Sequence, residues 1–152
     1  MNWIEPIYDR TQYDVEYAKS RIKYFKQNGG ITDGVELKGC LNYTDLNRIE
    51  NNIVYLSETL NELYYRNTID EPNTQWNMNN TPTKAQVDRI IGNIIKILSK
   101  YYTPDGTPDL PETLTHYEEV NNIEECLYLL KVMIDNMKSM FRECGAFSCG
   151  EG

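Results

Sequence analysis

Four cysteines are the first candidates for chemistry: Cys40, Cys126, Cys144 and Cys149. Thiolates hold zinc when they converge in fours, usually from pairs with a short spacer. Only Cys144 and Cys149 are close here, and their four-residue spacer is looser than a zinc knuckle. A four-cysteine site would have to draw on three distant places in the chain. A Cys144–Cys149 disulfide is sterically feasible in a loop, but reduced, structural cysteines are expected. Cys126 falls inside a helical pattern near its apolar seam, where a thiol packs as a small hydrophobe.

His116 is the single histidine, which removes most two-histidine metal sites. A catalytic histidine needs a nucleophile or an orienting carboxylate, and no spacing identifies one. His116 stands instead in the first turn of a helical segment. The acidic residues are scattered over polar helix faces. Calcium-loop, P-loop and nucleophile-elbow patterns are absent from the sequence. Gly29-Gly30 and Gly34 follow a helical segment rather than a strand, so they read as a connector and not a phosphate cradle. The expectation is a protein that is not an enzyme, without catalytic, cofactor-binding or metal-binding residues.

Twelve tyrosines and two tryptophans are the unusual feature. Trp3, Trp76, Tyr64, Tyr65, Tyr101 and Tyr102 lie near segment ends or in loops. Amphipathic aromatics at such places suit protein interfaces and sugar stacking. They suit equally well a second role, packing beneath their own loops as satellite clusters. These six are the candidate interaction residues.

Charge narrows the partners. Lys and Arg number 15 against 23 Asp and Glu, a net charge of −8 and a pI near 4.7. Such a surface repels phosphate backbones, so nucleic acid is not an expected partner. No apolar run approaches the roughly 18 residues of a membrane span. The first residues, Met1-Asn2-Trp3-Ile4-Glu5-Pro6, lack the basic and apolar regions of a signal peptide.

The elements that must position these residues are helical. Gly and Pro cluster at 28–39, 72–82 and 104–111, which read as connections. A first segment, 12–27, places Val15, Ala18, Ile22 and Phe25 on one face, with Thr11 as N-cap and Gly29 or Gly30 as terminator. A second, 45–66, carries Leu46, Ile49, Ile53, Leu56, Leu60 and Leu63, capped by Asn42 or Thr44. A third, 84–102, carries Val87, Ile90, Ile94, Ile97 and Tyr101 behind a Thr83/Gln86 capping box. A fourth, 116–142, carries Val120, Ile123, Leu127, Leu130, Ile134, Met137 and Phe141 behind a Thr115/Glu118 box. Only 31–41 could hold one or two short strands.

The last three segments align without gaps. Leu46-Asn47-Arg48-Ile49, Val87-Asp88-Arg89-Ile90 and Val120-Asn121-Asn122-Ile123 correspond, and Asn52, Asn93 and Cys126 stand at one position. Two explanations are open: a decayed internal repeat, or the likeness that any three amphipathic helices share. Asn52 and Asn93 flank the seam, where they either pair across helices to fix register or face solvent. The apolar seams are narrow, which favours long helices crossing at about +20°. The predicted fold is an all-α bundle of about four helices, three long and internally similar and one N-terminal, with long Gly/Pro-rich connections. It forms one domain, 1–152, with 1–11 and 143–152 as extended contact arms.

Several stretches resemble a known family. They are Asp9-Arg10-Thr11-Gln12-Tyr13-Asp14-Val15, Leu37-Lys38-Gly39-Cys40-Leu41-Asn42 and Asp45-Leu46-Asn47-Arg48-Ile49-Glu50-Asn51-Asn52-Ile53. Trp76, Arg89-Ile90-Ile91-Gly92-Asn93-Ile94, Asn121-Asn122-Ile123-Glu124 and the closing Cys149-Gly150-Glu151 continue the likeness. Together they resemble small structural proteins of tailed phages, prophages and phage-tail-like particles of Gram-positive gut bacteria. Cys40, where a small residue is usual, and a short linker before Leu37 depart from that pattern. The resemblance implies a virion part of the tail, baseplate or fibre region, made in the bacterial host cytoplasm. It implies docking to other virion proteins in a symmetric oligomer, and no catalytic residues. Two other expectations are a receptor- or carbohydrate-binding module touching host surface glycan, and a small phage-encoded regulator that binds protein.

Overall fold

Thr11 starts the first helix as its spacing predicts. Its backbone is extended, its hydroxyl accepts the Asp14 amide, and the Asp14 carboxylate accepts the Thr11 amide in return. This reciprocal bond satisfies two amides that a helix start leaves orphaned. A computed structural model describes residues 1–30 and 36–146. It contains four helices: α1 (Gln12–Asn28), α2 (Tyr43–Glu62), α3 (Lys84–Lys100) and α4 (Tyr117–Ala146), and no strand among the described residues. Residues 36–41, the described part of the stretch that could have held strands, form a turn. Residues 31–35 lie outside the description, as do 147–152 with Cys149.

The caps explain the remaining boundaries. Asn42, not Thr44, caps α2, and Asp45 bonds back to the Asn42 amide at 2.9 Å. The helix stops at Glu62, four residues earlier than its periodicity suggests, where Tyr64 turns to a φ of 67°. The Thr83/Gln86 box forms as predicted. At α4 the expected partner Glu118 is replaced by Glu119, whose carboxylate accepts the amides of Thr115 at 2.6 Å and His116 at 2.9 Å. The helix begins one residue later than expected, which carries Glu118 past the position that faces back.

The long seams meet as one core. Leu46, Ile49, Ile53, Leu56 and Leu60 of α2, Val87, Ile90, Ile94 and Ile97 of α3, and Val120, Ile123, Leu127, Leu130 and Ile134 of α4 are all buried together. Both α3 and α4 pack against α2. Phe141 is a correction: expected on the seam, it is 63% exposed. At about 1.5 Å per residue, α4 runs about 45 Å and α2 about 30 Å, so the end of α4 outruns its partner. The first helix differs from the other three. Only Ala18 on it is buried, while Val15, Ile22 and Phe25 are half-buried. It rides outside the three-helix core, anchored where the backbone of Gly39 meets the backbone of Asp14. A β-carbon at Gly39 would lie 2.1 Å from the Asp14 carbonyl oxygen, so only glycine fits.

The cap of α1 is titratable. The Thr11 amide and hydroxyl, helped by Lys38 and Arg10, hold the Asp14 carboxyl below its ordinary 3.8. A depressed carboxylate stabilises the fold above its unfolded pKa and loses that contribution as pH falls through the folded value. Amide-exchange protection of the first turn of α1 should therefore drop on moving from about pH 6 to about pH 3. Asp14→Asn should flatten that change. Equal protection of the turn at both pH values in the unmodified protein would refute the cap's role.

Candidate functional site

The six candidate aromatics separate into three places. Tyr65, Tyr101 and Tyr102 gather where α2 and α3 end, with ring centroids 4.9 Å, 5.2 Å and 6.5 Å apart. The Tyr101 hydroxyl reaches the Met137 sulfur of α4 at 3.5 Å. Tyr64 projects beside them, 85% exposed. Trp3 packs against Tyr55 with ring centroids 5.7 Å apart and the planes tilted by 57°, half-buried against the core. Trp76 is only 3% exposed and belongs to the core itself. Of its two possible roles, Trp76 takes the second: it packs beneath its own loop.

A row of exposed tyrosines on α1 was not among the candidates. Tyr13, Tyr17 and Tyr24 are 74%, 51% and 54% exposed. At 100° per residue their positions fall within about 40° of one another. They lie opposite the Val15, Ala18, Ile22 and Phe25 face. Tyr13 and Tyr17 stack at 6.5 Å, and the Arg21 guanidinium sits 5.5 Å from the Tyr24 ring. The i, i+4, i+11 spacing was readable in the sequence.

The buried polar residues form a second arrangement, built on two extended straps. The first strap is residues 4–10. The Asn52 amide on α2 accepts the Ile4 N–H at 3.0 Å and donates to the Ile4 carbonyl at 2.7 Å. Three residues on, the Glu124 carboxylate of α4 accepts the Ile7 N–H at 2.8 Å. Three further on, Asn121 of α4 holds both the N–H and the carbonyl of Arg10, at 3.2 Å and 3.0 Å. The second strap is residues 70–76. Asn93 of α3 clamps Asp70 at 2.7 Å and 2.9 Å. Glu50 of α2 accepts the Asn73 N–H at 2.8 Å, and Asn47 clamps Trp76 at 2.8 Å and 3.0 Å. The interval of three is the period of a polyproline II chain, in which every third residue faces the same way. One asparagine amide offers a donor and an acceptor side by side, which matches the N–H and carbonyl of one extended residue.

The straps also carry matching side chains. Ile4-Glu5-Pro6 of the first corresponds to Asp70-Glu71-Pro72 of the second. The last position of each adds a bond to the same glutamate: Trp76 Nε1 donates to Glu50 at 2.9 Å, and Arg10 Nη2 to Glu124 at 3.1 Å. Each glutamate, fully buried, receives an arginine from the neighbouring helix, Arg89 of α3 for Glu50 and Arg48 of α2 for Glu124. These are the aligned positions of the internal likeness. Equivalent residues thus make equivalent bonds across α3–α2 and α2–α4, which periodicity alone does not require. The likeness is a structural repeat. Asn52 and Asn93 are buried, and they hold strap backbone rather than each other.

The third combination, α4 with α3, lacks the clamps. Ile91, Asp88 and Cys126 stand where the other copies have the glutamate and the two asparagines. The connection before α4 is held instead by Leu110 and Leu114 against the core. Burial pushes the Cys126 thiol up to about 12, so this cysteine is inert packing. Cys40 is half-buried and its thiol is likewise raised. Among the described residues no group of three potential ligands could hold a metal ion.

The electrostatic centre is the quartet under the first strap. Arg10 and Arg48 both contact Asp45, at 2.8 Å and 2.5 Å, and both contact Glu124. All four residues are buried. Burial opposes the Arg48 charge, but Glu124 and then Asp45 outweigh it and raise the Arg48 pKa. At the second strap burial dominates, and the Glu50 carboxyl lies above its ordinary value despite Trp76, Asn73 and Arg89. These networks fix geometry: the quartet is buried throughout, and in the second network Glu50 is buried while Arg89 is half-buried. A cavity of about 640 Å³ opens at the N-terminal ends of α2 and α3, lined by Leu41, Tyr43, Leu46, Met78, Pro82 and Leu114 among others. No helix among the described residues is long and apolar enough to cross a membrane.

In comparisons with known proteins, no family model, curated sequence or solved structure matches this chain.

Proposed function

We propose that this protein is a non-enzymatic structural component of a phage virion or phage-tail-like particle, docking to neighbouring subunits in the tail, baseplate or fibre region. The observation that carries the docking role is the tyrosine face of α1. Tyr13, Tyr17 and Tyr24 stand exposed on a helix whose opposite face is already spent on the body. Tyrosine combines a large apolar ring with a polar tip and is enriched at protein interfaces. Tyr64 and Tyr102, 85% and 61% exposed, provide a second aromatic patch at the far end of α2 and α3. The clamped straps make the body rigid, which lowers the ordering cost of assembly. The virion setting rests on the resemblance described above.

The test is incorporation. Tyr17→Ala should change the stability of the isolated protein by under about 0.5 kcal/mol, as for an exposed site. Its incorporation into purified particles should fall by about thirtyfold, the consequence of losing about 2 kcal/mol at an aromatic anchor. A full-length protein absent from purified particles would refute the virion reading. Trp76 is unsuited to this test because it is a core residue.

The cavity at the α2 and α3 starts favours a second reading, a receptor- or carbohydrate-binding module. Its volume falls within the range of small-ligand sites, about 300–1,000 Å³. Tyr43, 38% exposed, is the aromatic at its lining. Glycan-array binding by the isolated chain, lost in Tyr43→Ala, would favour this reading over the first.

A further inference from the structure

The two strap grooves differ in one respect that bears on partners. Without its strap, the α2/α3 groove is electrically balanced, with Glu50 against Arg89. The α2/α4 groove is not: Asp45 and Glu124 face Arg48 alone until Arg10 arrives. Its occupant must be extended, must present backbone at three positions spaced by three, and must bring a cation at the last of them. Residues 4–10 of this sequence meet all three demands.

The straps also differ in how they are tied. Strap 70–76 lies between α2 and α3, both part of the core. Strap 4–10 leads into α1, which lies outside it, and every residue of the buried core cluster falls between Leu46 and Ile134. Of residues 1–10 only Pro6 and Arg10 are buried. The strap is held chiefly by hydrogen bonds and charge, contacts that an identical segment from another molecule would remake atom for atom.

We propose that the α2/α4 groove takes residues 4–10 of a second copy of this chain, so that neighbouring copies exchange N-terminal segments. The partner's Arg10 then completes the quartet, and its Ile4, Ile7 and Arg10 backbone meets Asn52, Glu124 and Asn121. Inside one chain the strap is favoured by its high effective concentration; copies held side by side supply a comparable one. The inference is independent of the virion reading, since it concerns only copies of this chain.

Two full-length variants test it. The donor, Asn52→Ala/Asn121→Ala, keeps its strap and loses two clamps. The acceptor, Ile4→Pro/Ile7→Pro, keeps its groove and loses two of the N–H groups that the groove reads. Neither variant alone contains or can assemble a complete pair; mixed, the donor strap and acceptor groove form one. Light scattering after size-exclusion chromatography should show a heterodimer in the mixture and monomer in each component. Adding Arg10→Ala to the donor should weaken the heterodimer at least tenfold. A mixture that stays monomeric, with both components helical by circular dichroism, would overturn the proposal. Should a double variant lose its helix, the single variants Asn121→Ala and Ile7→Pro serve in the same mixture, with the same two outcomes.

Discussion

Glu124→Ala is expected to lower stability by about 3–5 kcal/mol, the usual consequence of stripping one partner from a buried ion pair. The quartet is balanced, two arginines against two carboxylates. Removing Glu124 leaves Arg48 and Arg10 sharing Asp45 with one positive charge in excess, and the Ile7 N–H loses its acceptor. Water cannot easily replace the carboxylate, because Glu124 is fully buried and Arg10 is 4% exposed. A domain's total stability is about 5–15 kcal/mol, so the loss is a large fraction of it. Urea unfolding followed by circular dichroism measures it. Glu58→Ala is the control, an exposed carboxylate on α2 paired only with the exposed N-terminal ammonium, and should cost under about 0.5 kcal/mol. If the two variants shared one unfolding midpoint, the quartet would have no part in holding the strap to α2 and α4.

Ile53→Asp should be at least as damaging. Ile53 is fully buried at the centre of the seam. The change removes a buried aliphatic side chain, worth about 1.5–3 kcal/mol, and installs a carboxyl without a partner. The sum exceeds about 4 kcal/mol, which places the variant at the edge of unfolding at neutral pH. Its pH response has a definite sign. Burial would raise the new carboxyl's folded pKa above its unfolded value near 3.9. The variant is then least unstable in acid and loses stability as pH rises through the folded value. Helix content that rises on acidification would show this. Helix content equal to that of the unmodified protein at pH 7 would remove Ile53 from the core.

The helices were legible because periodicity and caps are local. The runs from Leu46 to Leu60, from Val87 to Ile97 and from Val120 to Ile134 each state a seam without reference to anything distant. Phe141 failed for a reason no single segment contains: α2 is shorter than α4, so the last turns of α4 have nothing to cover them. Trp76 was ambiguous for the same kind of reason, since its burial depends on Glu50 and Asn47, more than two dozen residues away. The internal likeness was visible as an alignment, but its meaning lay in which backbone each asparagine holds. Two signals in the sequence point to the straps. Asn47 precedes Glu50 as Asn121 precedes Glu124, and Glu5-Pro6 recurs as Glu71-Pro72. The tyrosine face of α1 is equally readable in the spacing of Tyr13, Tyr17 and Tyr24, although it lies on a helix's outer side rather than at a segment end or in a loop.

The asparagine clamps grip amide groups, which every residue but proline carries alike. They are therefore indifferent to most of what the strap displays. The two straps within this one chain already illustrate the latitude: Ile4 answers to Asp70, Ile7 to Asn73, Tyr8 to Thr74 and Asp9 to Gln75, with the hold on the backbone unchanged. Outward positions such as Glu5 and Asp9 are exposed and make no clamp. Their side chains can be rewritten by single substitutions without loosening the attachment beneath. Mounting and display are thus separately heritable, and a lineage could alter what it shows to its surroundings many times over while its scaffold stood still.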